Sequence, residues 1–566
     1  MTETRRWHTH YPNEIPLSIE YEEKPLHAFL EETAEVYPKR KALHFMGKEL
    51  TFANVLSQAR KVASLLQSLG LQKGDRVAIM LPNCPQSVIS YYGTLMAGGI
   101  VVQTNPLYKE RELEYQLNDS GASFIICLDV LFPRVSNVRS KTELQHVIVT
   151  GIKDYLPFPK NLIYPFIQRK EYKSIVEVEP TDDTHDWGTV MDSRDENYTP
   201  IAVDAKEDLA LLQYTGGTTG HPKGVMLTHS NLAANCQMSR KWLHQATPGE
   251  ETILGVLPFF HVYGMTAVMN MSIMYGFKMI LMPKFDAGDV LKTIQKQKPT
   301  MFPGAPTIYV GLLNHPDLEK YDLSSIEACI SGSAPLPSEV QSQFEKVTNG
   351  KLVEGYGLTE TSPVTHANFV WGKRVAGSIG VPWPDTDAKV INMESGEEAV
   401  IGEVGEIAVK GPQVMRGYWN NQEETDRVLR DGWFFTGDMG YMDEHGFFYI
   451  ADRKKDMIIA GGYNIYPREV EEVLYEHEAI QEAVVAGIPD PYRGETVKAY
   501  VVLKSGYADV EEKDLDTFCR SRLATFKVPR IYEFRNELPK TAVGKILRRN
   551  LVEEDKERNK EKGEKV

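Results

Sequence analysis

The 566-residue chain holds five cysteines, an odd number with no CxxC pair, which excludes a disulfide framework and a thiolate zinc site. Long apolar runs are lacking too. The most apolar stretch, Ile253 to Met282, is interrupted by Pro258, His261, Asn270 and Lys278, so it reads as buried strand and helix rather than a membrane span of about 20 residues. No apolar segment follows Arg5 and Arg6, so no signal peptide is expected and a reducing cytoplasm fits best. Excess positive charge is also missing: 63 Lys and Arg face 78 Asp and Glu, a net charge of −15 that argues against nucleic acid as a bulk partner. There is no GxSxG elbow, which excludes a serine acyl hydrolase, and no fixed-period repeat, which excludes a solenoid.

What is present is an α/β texture. From Arg76 the runs VAIML, IVVQ and FIICL alternate with helical periods, as parallel strands covered on both faces do. A second series is expected from Leu209–Gln213 through Val256, Met279–Met282 and Ala328–Ser331. Between the two lies a proline-rich acidic connector, Asp154 to Asp208. Its part Tyr155 to Lys173 mixes aromatics with cations, and Pro157, Pro159 and Pro165 are expected to break any continuous amphipathic helix there. Short glycine-punctuated pieces from Ser378 to Ile450 suggest a small barrel or antiparallel sheet. After Lys455 an α+β domain of about 110 residues is expected, followed beyond Leu551 by a charged, fraying tail.

Five segments carry chemistry. Tyr214 to Gly224, YTGGTTGHPKG, follows an apolar run and precedes a helix that Ser230 would cap; its amides and hydroxyls suit a phosphate, although alone it reads equally as a flexible turn. Pro222 before Lys223 and Gly224 after it exclude a Walker loop. Ile330 to Pro337, ISGSAPLP, is small enough to let a flat ring approach backbone, or is a tight turn. Glu354 to Pro363, EGYGLTETSP, fails the dinucleotide fingerprint at Glu360 but offers a hydroxyl and a carboxylate for phosphate and magnesium. Asp431 to Glu471 places Asp438 in a turn and Arg453, Lys454 and Lys455 beside the expected boundary. PKTAVGKILRR, Pro539 to Arg549, sets Lys545 in a basic strip.

In this order and spacing the segments resemble the adenylate-forming enzymes, the superfamily of acyl-CoA synthetases, firefly-type luciferases and peptide-synthetase adenylation domains, over roughly Leu26 to Arg549. DGWFFTGDMGYMDEHGFFYIADRKKDM is similar to the signature of the fatty acyl-CoA synthetases, here of the bacterial long-chain type. The resemblance implies an N-terminal domain 1–454 of two βαβ-type subdomains plus a small β-barrel, a mobile C-terminal domain 455–551 and a charged tail 552–566.

It implies ATP-phosphate contacts at Thr215, Gly216, Gly217, Thr218, Thr219 and Lys223. Gly332, Ser333 and Ala334 would border adenine, and Gly355, Tyr356, Gly357 and Thr359 would border adenine and the α-phosphate. Glu360 would bind Mg2+, Asp438 and Arg453 the ribose. Lys455 is the implied hinge and Lys545 the adenylating lysine. Gly461, Gly462 and Tyr463 would line the coenzyme A channel, and His261, Tyr263 and Gly304 the acyl pocket. The expected reaction joins a fatty acid to coenzyme A through acyl-AMP, with peripheral membrane contact and a homodimer as further expectations. Alternatives are a medium-chain or other acid–CoA ligase and a fatty acyl-AMP ligase serving another acceptor; a non-catalytic binding protein is disfavoured by the full set of charged residues.

Overall fold

The computed structural model describes residues 5–172, 179–215, 222–460, 463–490, 493–541 and 544–561. An eight-stranded sheet forms the first layer, in the order Gly417–Tyr418, Lys223–Thr228, Leu209–Thr215, Ile100–Gln103, Arg76–Met80, Phe124–Leu128, His146–Thr150 and Thr184–Asp186. From Leu209–Thr215 to Thr184–Asp186 the pairs are parallel; the two strands at the other edge are antiparallel. Strands such as Phe124–Leu128 are buried along their whole length because helices cover both faces, which is why they read as unbroken apolar runs.

Leu209–Thr215 therefore completes the first sheet instead of opening the second, contrary to the expectation. It pairs in register with Ile100–Gln103. The second sheet instead recruits an early strand, Lys41–Phe45, which pairs parallel with Lys278–Leu281; Thr252–Gly255 follows, and bridges through Met301 lead to Ala328–Ser331 and Lys351–Gly357. An apolar run does not state its partner, and strand order is settled by long-range packing. The region after Ser378 forms a five-stranded antiparallel sheet, with Trp433–Met442 between Gly405–Lys410 on one side and Leu429–Arg430 and Phe448–Arg453 on the other.

Past Lys455, Ile458–Ala460, Tyr463–Ile465, Ile480–Asp490, Gly494–Leu503 and Ile531–Phe534 make a further five-stranded sheet. Helices Pro467–Tyr475 and Glu512–Arg520 pack on it through Val470, Leu474, Leu515 and Cys519, in a core drawn from residues 458–532 alone.

Three local expectations are corrected. Thr228, not Ser230, caps helix His229–Trp242: its hydroxyl accepts from the Asn231 amide at 3.1 Å, because the residue just outside the helix has the extended backbone that a cap needs. The chain beyond Leu551 does not fray as far as Glu561, since helix Arg548–Glu561 turns Asp555 inward to Lys498 (2.7 Å) and Tyr500. Lys160–Tyr172 is one helix despite its prolines. Pro157 and Pro159 precede it and accept from the Asn161, Leu162 and Ile163 amides, and Pro165 alone lies inside, removing one backbone bond.

Candidate active site

A cleft of about 2060 Å³ opens between the antiparallel sheet, the second parallel sheet and the C-terminal segment. Of the expected residues, Thr215, Lys223, His261, Tyr263, Gly332, Ser333, Ala334, Gly355, Tyr356, Gly357, Thr359, Glu360, Asp438, Arg453, Lys455 and Lys545 all line it. Gly304 lies behind the wall: it bridges to Ser331, its amide bonds the Ile330 carbonyl at 3.1 Å, and the Tyr309 ring leaves it no room for a side chain. Tyr463 is not in the lining; its exposed ring stacks on Phe526 at 4.6 Å. Gly216, Gly217, Thr218, Thr219, Gly461 and Gly462 lie outside the described residues.

The sheet registers explain how residues distant in sequence meet. Asp438, expected in a turn, lies instead inside strand Trp433–Met442, where ladder pairing sets it opposite Arg453 on the adjacent antiparallel strand, with Arg453 Nε 3.2 Å from Asp438 Oδ1. Tyr356, arriving from Lys351–Gly357, donates its hydroxyl to Asp438 Oδ2 at 2.6 Å. Both carboxylate oxygens are thus oriented, and the Asp438 charge holds the Arg453 guanidinium more firmly protonated than usual. Beyond Tyr356, Gly357 passes so close to the Pro363 carbonyl that only glycine fits, and the chain then turns to present Thr359 and Glu360.

On the opposite wall Thr215 faces Lys223 across their hairpin. Lys223 pairs with Glu424 and lies 4.7 Å over the Tyr418 ring, while the Tyr418 hydroxyl donates to Glu360 Oε1 at 2.7 Å. Burial pushes the Glu424 carboxyl up, yet Arg427 and Lys223 together hold it below its ordinary range. Neither Tyr418 nor Glu424 was foreseen, because RGYWNNQEE carries no glycine or charge pattern that marks a site. Among the described residues no cluster of three or more His, Cys, Asp or Glu forms a metal cage. The Glu360 carboxylate, with hydroxyls beside it in a cleft roomy enough for a polyphosphate, fits magnesium, which keeps waters and takes one or two carboxylates plus substrate phosphates.

The floor is closed by the C-terminal segment. Gly544, at φ +79°, abuts the Thr307 hydroxyl so tightly that no Cβ could be accommodated. Its neighbour Lys545 enters the cleft, where the Arg453 charge, and then burial, pull its ammonium down to about 8. The segment is tied by ions that sequence reasoning missed. Arg548 reaches Glu471 (2.8 Å), Asp456 (3.0 Å) and Asp452 (3.3 Å), and buried Arg468 lies 3.5 Å from buried Glu354. Burial pushes the Glu354 carboxyl up, with Arg468 opposing it. His261 caps the short turn at Val262, accepting from the Tyr263 amide at 3.3 Å, and burial lowers its imidazole to about 4. It therefore stays neutral at pH 7, beside Tyr263, whose hydroxyl bonds the Ile330 carbonyl at 2.6 Å at the edge of the Gly332 turn.

The model of the AMP-binding enzyme family matches residues 30–419, and that of the AMP-binding enzyme C-terminal domain matches 469–545. The chain belongs to the AMP-binding enzymes. Similar AMP-binding relatives include a long-chain-fatty-acid–CoA ligase of Bacillus subtilis, 62% identical over 98% of this chain and 99% of that one. A long-chain-fatty-acid–CoA ligase of Escherichia coli O6:H1 is 40% identical over 97% and 98%. Among solved AMP-binding structures, the anthranilate CoA ligase AuaEII in complex with anthranoyl-AMP superposes with a TM-score of 0.85 at 27% identity, covering 96% of this chain and 99% of that one. The mixed α/β fold with a large N-terminal and a small C-terminal domain is that of this family.

Proposed function

We propose that the enzyme activates long-chain fatty acids to acyl-CoA in two steps, through an enzyme-bound acyl-AMP, releasing pyrophosphate and then AMP. The observation that carries this reading is the meeting of Lys545 with the Asp438–Arg453 pair and His261 in one cleft, because the two come from segments separated by the Lys455 boundary. A fatty carboxylate is already ionised at neutral pH, so its attack on the α-phosphorus needs no general base, only charge stabilisation. Lys223 from its hairpin wall and Lys545 from the floor both line the cleft, and phosphate charge would spread between them. Asp438 would accept the ribose hydroxyls, with Tyr356 and Arg453 fixing its rotamer. Gly332, Ser333 and Ala334 would border the adenine, and Tyr263 and His261 the acyl entrance, with Gly304 shaping that wall from behind.

Glu360 and Thr359 would hold the magnesium ion, which when bound neutralises the polyphosphate. The second step needs a thiol where Lys545 now stands. We assign the division 1–454, 455–551 and 552–566, with Lys455 as the hinge about which the C-terminal domain turns to bring Tyr463, with Gly461 and Gly462, to the coenzyme A channel. The exposed Tyr463 side chain supports that role, being free of the cleft in the present arrangement.

The test is to incubate the enzyme with ATP, magnesium and acids of increasing length, following pyrophosphate release and loss of free thiol. Long-chain acids should release pyrophosphate and consume thiol together. Pyrophosphate without thiol loss would assign the acyl group to another acceptor, and a maximum at shorter acids would make it a medium-chain ligase.

A further inference from the structure

The C-terminal sheet is covered differently on its two faces. Along Ile480–Asp490 and Gly494–Leu503, Ala483, Val485, Ala499 and Val501 belong to the core under the two helices already described. The residues between them alternate to the opposite face, where Val484, Ala486, Tyr500 and Val502 pack with Leu538, Ile546 and Leu551. That second cover is the turn bearing Lys545 and the helix Arg548–Glu561 that follows it. The turn is closed by its own bonds: the Leu547 amide donates to the Pro539 carbonyl at 2.8 Å, and the Lys545 amide to the Thr541 hydroxyl at 3.1 Å. Its place on the sheet therefore depends on the helix.

That helix has little apolar surface of its own. Arg548, Leu551, Val552 and Asp555 share one arc of about 100° at roughly 100° per residue, and Leu551 and Val552 are the only apolar side chains among residues 548–561. Two such contacts hold a helix to a sheet without fixing how far it slides. Ions fix it instead. Beneath the helix the buried Lys498 Nζ lies 2.7 Å from Asp555 Oδ2 and 2.6 Å from Glu533 Oε2, and the buried Tyr500 donates its hydroxyl to Asp555. Arg558, almost one turn on, reaches Asp555 (3.3 Å) and Glu533 (3.1 Å). A buried ion pair is no more stabilising than well-packed leucines, but it is directional, and a helix slipped along its axis would leave Lys498 and Asp555 unmatched. All these residues follow Lys455, so under the proposed turning the cluster would travel whole with the C-terminal domain, unlike the Arg548–Asp452 tie.

We propose that Asp555 is a positioning residue for Lys545: through Lys498 and Tyr500 it fixes helix Arg548–Glu561 on the sheet, and the helix aims the preceding turn into the cleft. The inference rests on the proposed function, in which Lys545 serves adenylation and not thioester formation.

The test measures the two half-reactions separately, together with hydrogen exchange of the full chain. In Asp555→Ala, Lys498 keeps Glu533, and adenylation should fall on the order of tenfold or more while thioester formation from supplied acyl-AMP stays within about twofold. Amides of residues 545–555 should exchange at least about tenfold faster, and those of Ile480–Asp490 and Gly494–Leu503 at the wild-type rate. Lys498→Met with Asp555→Leu removes both charges together, so neither is left buried alone and the domain should stay folded; it should still adenylate about tenfold slower than wild type. Equal losses in both half-reactions, unchanged exchange in the helix, or a folded double variant with wild-type adenylation would overturn the proposal. Lys545→Ala, run in parallel, keeps the two readings apart. If that variant adenylates normally the catalytic reading fails, and exchange alone decides whether Asp555 holds the turn; a loss in Lys545→Ala that Asp555→Ala does not share sinks the present inference.

Discussion

Lys223 and Lys545 reach the same cleft under opposite electrostatics. Lys223 belongs to a hairpin of the large sheet, already has the Glu424 carboxylate, and rests over the Tyr418 ring. Lys545 comes from the other side of the Lys455 boundary, and the charge that weighs most on it is that of Arg453, which disfavours its protonated form against the opposing pull of Asp438 and Asp456. A lysine neutralised by a partner is a permanent wall of the site. A lysine lodged beside a guanidinium gains its full counter-charge only when an anion arrives, so under the proposed function the phosphate that Lys545 stabilises would also hold the C-terminal domain in place. The ties around it are ionic and close to the boundary, at Asp452, Asp456, Glu471 and Arg548, which would suit the proposed turning of the C-terminal domain.

The sharpest way to break the comparison is Lys545→Ala. It should lower acyl-AMP formation by at least about a hundredfold while thioester formation from supplied acyl-AMP continues; equal losses in both half-reactions would make Lys545 a structural residue. Next, Arg548→Ala leaves three carboxylates without their shared cation and should destabilise the C-terminal domain by about 3 kcal/mol in denaturant titrations. The loss should fall on adenylation more than on binding of ATP, because the Lys223 wall is untouched.

Tyr356→Phe frees one oxygen of Asp438 and should raise the KM for ATP about tenfold, with kcat changed less. The pH profile tests the charge argument directly. In the proposed role Lys545 would act as a cation, and with its pKa lowered to about 8 kcat/KM for ATP should be level below that value and fall as pH rises through it, on the order of tenfold per unit well above it. A profile flat to pH 9.5 would refute the placement of Arg453 beside it. The smallest effect is expected from Glu424→Gln, which removes a negative charge from the phosphate wall and should tighten ATP by a few-fold; a weaker KM would mean that Glu424 positions Lys223 rather than competing for it.

That the candidate residues share one cleft was largely legible in the sequence, because each stands in a short local motif whose residue types suit the phosphate and ribose chemistry proposed for them. Asp438, Arg453, Glu360, Lys223 and Lys545 each stand in such a motif and all line the cleft. Their supports were not legible. Tyr418, Glu424, Glu354 and Arg468 act through contacts with residues far away in the sequence, and such contacts leave no pattern in a chain. The exposed helix at Lys160–Tyr172 was hidden for another reason: proline arithmetic argues against it, whereas Pro165 costs only one hydrogen bond where the rest of the helix is intact.

By itself the sequence determined the α/β class, the order of the motif segments that line the cleft and the texture change near Lys455, since periodicity and local motifs are properties of neighbours along the chain. Only the tertiary structure decided that Leu209–Thr215 closes the first sheet, that Lys41–Phe45 enters the second, and that Lys545 stands beside Arg453. Strand partners and electrostatic neighbours are set by which buried surfaces meet, and residues 92 apart in sequence carry no local sign that they will share one cavity.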